Sequence, residues 1–400
     1  MIYIILQILA EKRKNAPRDL VLIFGLMVGA TFISYVINAY SPLLYIWGFR
    51  NNFRFIIFGI VCAMYIERED IETIYTILYY FFLLNIVVVT YQYFFVSYSQ
   101  YAIGDYISGL FSNGLERGGN ASLDWLMCIV VTYEIVKFLG NKGNIRRLLI
   151  SLFGSLYMAS LAEIKIFFVQ IIIIGIAALF IGKKSMKTIL FTVLGALSVY
   201  IGIGFLYTMF PEFNNFFTLD TVFEYISRKS GYSTGHSEGV NRLTAISYVL
   251  ENFLTTPIMK IFGIGLGNAD FSSFSFLISS FYKNYQWTGY TFFYSAFLLI
   301  EGGLLGFALY LINICAYILN AIKIRSSAIE EKIVKQNSVI IGIMCFMMFF
   351  SNQTMKLEAS AYLIYLILAL PFAIKRQKGR IGDDKTKERR IKIKVRWYEL

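Results

Sequence analysis

The sequence predicts an all-α, polytopic transmembrane bundle with one long loop. Three observations predict it. First, of 400 residues 57% are hydrophobic and only 16% charged, too apolar for a soluble domain. Second, apolar runs of about 17–25 residues, the length that crosses a hydrocarbon core, recur along the chain. Third, lysine and arginine collect in alternate connections between those runs, as they do in multi-span chains. Helices are expected because an α-helix satisfies its own backbone polar groups where no water is present. The whole chain, 1–400, reads as one integral membrane domain.

Taken in order, residues 1–10 are apolar but too short to span, and read as half a helix or an interfacial anchor. They lack the charged start and small-residue cleavage site of a signal peptide. Residues 11–18 carry Lys12, Arg13, Lys14 and Arg18. About ten spans follow, at 19–38, 52–66, 71–95, 122–139, 148–161, 164–181, 188–210, 290–321, 338–350 and 359–374. The 290–321 run is long for one crossing and is expected to break at Gly302-Gly303.

Placing 11–18 in the cytoplasm puts 67–70, 140–147, 182–187, 323–335 and the tail on the same side. All but the mixed 67–70 segment are rich in Lys and Arg, which agrees with the inside bias of positive charge. The tail, 375–400, is the most basic segment, with Arg389, Arg390, Lys392, Lys394 and Arg396 interleaved with apolar residues. Beside a membrane bundle this pattern fits anionic lipid, and nucleic acid is not an expected partner. The opposite, extracytoplasmic side receives 39–51, 96–121, 162–163, 351–357 and the long loop 211–289.

Loops of that length in a compact bundle are usually functional or disordered. Many aromatic residues, Phe213, Phe216, Phe217, Phe271, Phe274 and Phe276 among them, argue against disorder here. Leu243, Ile246, Val249, Leu250 and Phe253 fall at helical spacing, so an amphipathic helix is expected over 241–253. Cys62, Cys128, Cys315 and Cys345 all lie in apolar runs without a CxxC pair, and read as small buried hydrophobes. With a single histidine and no cysteine cluster, no metal and no other cofactor is expected.

Several charges run against the inside bias. Arg50, Arg54, Arg117, Lys165, Arg228 and Arg242 all map to the loop side, and Glu163 with Lys165 interrupts an apolar stretch from 148 to 181. Charges at membrane depth are costly and usually face a cavity or a partner, although a tight hairpin turn at 163–165 would leave its two in water. Outward-facing cations at a lipid boundary suit an anionic headgroup such as phosphate, which arginine meets with paired charge-assisted hydrogen bonds.

Four patches carry a family resemblance. They are Asn241-Arg242-Leu243; Thr256-Pro257; Phe262-Gly263-Ile264-Gly265-Leu266-Gly267; and Glu301-Gly302-Gly303-Leu304-Leu305-Gly306. Together they resemble the O-antigen polymerase and O-antigen ligase superfamily, which includes capsular and exopolysaccharide polymerases. Its members show an arginine opening a loop helix, a proline before a GxGxG run, and a Glu-x-Gly-Leu-Leu-Gly start to the next span. The GxGxG run is not read as a nucleotide fingerprint, which needs a strand before it in a cytosolic βαβ unit. The ligase branch has a histidine ahead of the Glu-x-Gly motif, where this chain reads Trp287-Thr288-Gly289-Tyr290-Thr291-Phe292-Phe293. That departure favours a polymerase.

The resemblance implies metal-independent glycosyl transfer on the outer face of the bacterial plasma membrane. Donor and acceptor would be oligosaccharide repeat units linked to polyprenyl diphosphate, with a flippase and a chain-length regulator as further partners. The catalytic candidates are Arg242 and Arg228 for the departing diphosphate, with Glu238 or His236 as base. Arg117, Lys165, Glu163, Arg54 and Arg50 are the substrate-binding candidates. Two other readings stay open: a ligase that transfers chains to another acceptor, and a non-enzymatic flippase. Transporters more often show internal repeats, and none is visible here.

Overall fold

The computed structural model describes residues 17–98, 103–112, 119–181, 239–326 and 328–377, together with some positions between 193 and 208. Among these the chain is helix and turn, without a strand. The helices used below are α1 Arg18–Asn38, α2 Pro42–Tyr65, α3 Asp70–Phe95, α4 Asn120–Leu139, α5 Ile145–Leu161, α6 Lys165–Ile181, α7 Ala245–Asn252, α8 Pro257–Phe262, α9 Tyr294–Lys323 and α10 Ile329–Ser351. The last is α11, Glu358–Gln377. Five of them, α1, α3, α9, α10 and α11, are long and apolar enough to cross a membrane by length and composition. The chain is thus a helical, membrane-embedded protein in its gross character.

Burial separates a centre from a periphery. On α4 every residue from 122 to 132 is buried, Trp125 fully so. Residues 361, 364, 365 and 367–370 of α11 and most of α10 pack into the same core. In contrast α1 and α3 expose Leu22, Leu26, Phe32, Ile77, Tyr80 and Leu84. Exposed aliphatic rows on long helices are stable against acyl chains and not against water.

Polar side chains tie the centre together. Gln170 of α6 donates to Asp124 Oδ2 at 2.9 Å and accepts from Cys128 Sγ at 3.3 Å. Trp125 Nε1 donates to Thr354 Oγ1 at 3.0 Å. Cys128 is buried as expected, but it also makes a thiol hydrogen bond that the reading as a plain hydrophobe did not contain.

Several boundaries differ from the sequence expectations. The second helix begins at Pro42, ten residues before 52, because Arg50, Asn51, Asn52 and Arg54 each find a partner or an aromatic face and so stay within the helix. The loop helix starts at Ala245 and not at 241. Asn241 Oδ1 accepts from the backbone N–H of Leu243 and Thr244 at 2.9 and 2.8 Å, holding an Asx turn ahead of the helix. The tenth helix extends from 329 to 351 instead of 338 to 350. The break in α9 falls at Gly303, with φ 61° and ψ −167°.

The helix ends collect in two groups. At one end Arg376 donates to the carbonyls of Ala63, Met64 and Ile66, Arg68 to Gln377, and Gln336 to the Ile181 carbonyl. Lys142 pairs there with Glu330. This is the basic end. At the other, loop end, Asn38 Nδ2 donates to the Gly263 carbonyl, Asn120 Nδ2 to the Ala162 carbonyl, and Tyr294 N to the Asn352 carbonyl.

Candidate functional site

The loop end is organised around the break in α9. Gly303 leaves the helical region, and the chain at 263–267 moves into the gap. Ile264 N donates to the Ile300 carbonyl at 2.8 Å and Gly265 N to the Glu301 carbonyl at 3.1 Å. Gly263, Gly265 and Gly267 all have positive φ, a region a side chain rarely occupies. Space decides as well. A Cβ on Gly263 would meet the Glu301 backbone, one on Gly265 the Tyr40 ring, and one on Gly267 the Leu44 carbonyl. The GxGxG run is therefore a backbone plug between α1, α2 and α9.

Glu301 seals that plug. It is fully buried. Its Oε1 accepts from Gly267 N at 2.8 Å and Ala269 N at 3.1 Å, and its Oε2 accepts from Asn52 Nδ2 at 3.0 Å. Three donors on one carboxylate are what a buried acid needs in place of water.

One residue beyond Ala269 the chain presents Asp270. Its Oδ1 pairs with Lys356 Nζ at 2.6 Å, and its Oδ2 accepts from Asn51 Nδ2 at 2.8 Å. The Lys356 ammonium also sits 3.3 Å from the centre of the Phe297 ring, within cation–π range. Phe297 and Glu301 lie one helical turn apart on α9. Acid, ring and ammonium thus share one side of the helix. Tyr290 closes the site from the loop, donating its hydroxyl to the Ala269 carbonyl at 2.9 Å. Burial, then the nearby acids, push the Tyr290 phenol far above its ordinary range, and Tyr40 is pushed up in the same way. Tyr290 thus donates as a neutral phenol.

Of the residues expected from sequence, Arg50 reaches this cluster through Asn51, and Arg54 lies one turn further along α2. Arg50 donates to Asn51 Oδ1 at 3.1 Å and lies over the Trp47 ring. Arg54 pairs with Glu358 and stacks 4.6 Å from the centre of Phe55. Arg242 is half-buried at the same end, its guanidinium 6.0 Å from the Phe293 ring just before α9. Glu163 and Lys165 form the turn between α5 and α6, where Glu163 has φ 53° and packs beside Gly104. Arg228, His236, Glu238 and Arg117 lie outside the described residues.

Asp270, Lys356 and Asn51 were not among the expected site residues. A signal existed for each: Asp270 follows the glycine run directly, Lys356 is the one lysine in the short loop-side segment 351–357, and Asn51 stands between two outward arginines. What was missing was their convergence across more than two hundred residues. No protein-family model matches the chain, and no curated protein matches it.

Proposed function

We propose that the protein is a polysaccharide polymerase that joins polyprenyl-diphosphate-linked oligosaccharide repeat units on the outer face of a bacterial plasma membrane. The proposal includes about ten spans, an extracytoplasmic loop end and a cytoplasmic basic end with its tail on anionic lipid. The carrying observation is that Lys356 and Arg242 lie over Phe297 and Phe293, beside the start of α9, while Arg50 and Arg54 extend from α2, the helix whose Asn51 and Asn52 hold Asp270 and Glu301. The patch resemblance to O-antigen polymerases supports the same reading.

In the reaction the bond between the donor's anomeric carbon and the diphosphate oxygen breaks. The acceptor hydroxyl oxygen forms the new bond at that carbon, and its proton passes to a base. Cations placed where the diphosphate charge grows are the main catalytic requirement. Arg242 and Arg228 are assigned that task. Lys356 is pre-oriented by Asp270 and supports the same anion. Glu238 or His236 takes the proton.

The test is Arg242→Ala combined with Arg228→Ala in cells that depend on this chain for surface glycan. Loss of long glycan with single repeat units accumulating on the outer face is the expected result. Normal glycan length and amount would overturn the proposal. Repeat units trapped inside would point to a flippase, and full-length chains left unattached would point to a ligase.

A further inference from the structure

A second site lies at the opposite end, and it does not depend on the polymerase reading. A cavity of about 420 Å³ opens between the start of α3, the end of α4, the start of α10 and the end of α11. Its walls carry both signs of charge in equal number. Arg68, Lys137 and Lys142 face Glu72, Glu330 and Glu331. Its floor is apolar, formed by Ile71, Val334 and Ile374.

The charges are graded in burial. Lys142 and Glu330 pair at 2.9 Å with half or more of each side chain exposed, and form a solvent-facing rim. Glu331 is almost fully buried and stands 3.7 Å from Arg68. Lys137 lies 5.3 Å from the centre of the Tyr133 ring, and Tyr133 is itself stacked at 3.7 Å on Tyr75. A stacked tyrosine pair is a rigid wall, and it fixes the direction from which Lys137 reaches the cavity.

A site of this kind selects a ligand that carries both charges on a short apolar body. A purely anionic ligand would meet three carboxylates, and a purely cationic one would meet three cations. The position commits the occupant further. The cavity sits at the ends of α3, α10 and α11, three of the helices long and apolar enough to cross a bilayer, which is the level of lipid headgroups. The next turns of α3 expose Ile77 and Tyr80, a surface suited to acyl chains. We propose that this cavity binds the headgroup of a zwitterionic phospholipid, the ammonium toward Glu72 and Glu330, the phosphate toward Lys137 and Arg68, and the glycerol against Ile71 and Val334.

The probe is the full-length protein purified in detergent, titrated with phosphatidylethanolamine and, separately, with phosphatidylglycerol, with bound lipid read by native mass spectrometry. The expected result is one retained phosphatidylethanolamine, bound at least about fivefold more tightly than phosphatidylglycerol, as one or two partly exposed charge contacts supply. Glu72→Gln with Lys137→Gln should bring the two lipids to equal affinity while the lipid-free melting temperature is kept. Glu330→Gln with Lys142→Gln removes the same discrimination from the other wall, should the first variant not fold. Equal binding of both lipids to the wild type overturns the proposal, whatever the variants do. So does a preference that survives either folded double variant. Soluble phosphoethanolamine should compete only weakly, and displacement of the lipid by it at equal concentration would assign the cavity to a free metabolite instead.

Discussion

Lys356 and Asp270 at the loop end pair at 2.6 Å with side chains only 16% and 11% exposed; Lys142 and Glu330 at the basic end pair at 2.9 Å with 50% and 60% exposed. The contacts are alike in length and chemistry, yet their surroundings differ. At the loop end each charged group is held by further partners: Asn51 on Asp270, Phe297 under Lys356, two backbone N–H groups and Asn52 on Glu301. At the basic end the pair stands at the mouth of an open cavity. Burial ties the first set into the fold, whereas the second stays in contact with solvent. A removed group therefore costs much at one end and little at the other.

The largest effect should come from Glu301→Leu. It leaves the Gly267 and Ala269 N–H groups and the Asn52 amide without their acceptor, at about 1–3 kcal/mol for each buried donor. Unfolding in detergent micelles should show a loss of at least about 3 kcal/mol. Glu301→Gln keeps a carbonyl acceptor and should lose less. A Glu301→Leu protein as stable as wild type would break the contrast between the two ends.

Next is Lys356→Met. It strands the Asp270 carboxylate, and a loss of about 2–4 kcal/mol is expected, somewhat under that of a fully buried pair because a little solvent reaches both groups. Asp270→Asn alone should cost a similar amount, and the double variant less than the sum. A double-mutant cycle with no coupling would show that the pair is incidental.

A backbone test comes third. Gly267→Ala meets both positive φ and the Leu44 carbonyl, and should lose about 2 kcal/mol from strain alone. Gly29→Ala on α1, where nothing lies within 4 Å, should be neutral or stabilising by up to about 1 kcal/mol. Melting curves of the two variants sharpen the view that the glycine run is a plug and not a hinge.

Smallest is Lys142→Ala at the basic end, expected within about 1 kcal/mol and fading as salt rises past 0.15 M. A change as large as that of Lys356→Met would mean that the rim pair is structural after all.

Much of the helical pattern was legible because apolar runs and charged connections are local signals. The first, third and sixth helices begin and end within a residue or so of their apolar runs. The break at Gly303 could be expected from a glycine pair in an overlong run. The start of α2 could not, because Arg50, Asn51, Asn52 and Arg54 look like a loop until Asp270, Glu301 and Glu358 are brought beside them. Arg242, Arg50 and Arg54 were picked out because each is a cation where lipid boundaries disfavour one. Lys356 is a loop-side cation too and Asp270 follows the glycine run, but each stands in a short polar turn and gains its meaning only from the partner that the fold brings to it.

The sequence by itself determined that the chain is helical and apolar, and where glycines must interrupt the regular backbone. Those properties follow from residue type and spacing. Only the tertiary structure decided that the glycine run fills the break in α9, that Glu301 is the acceptor sealing it, and that Asp270 and Lys356 meet above it. The physical reason is that a buried charge is tolerated only when its partners arrive together. Here those partners come from α2, from the loop after α8, from α9 and from the turn before α11, segments that no local pattern connects.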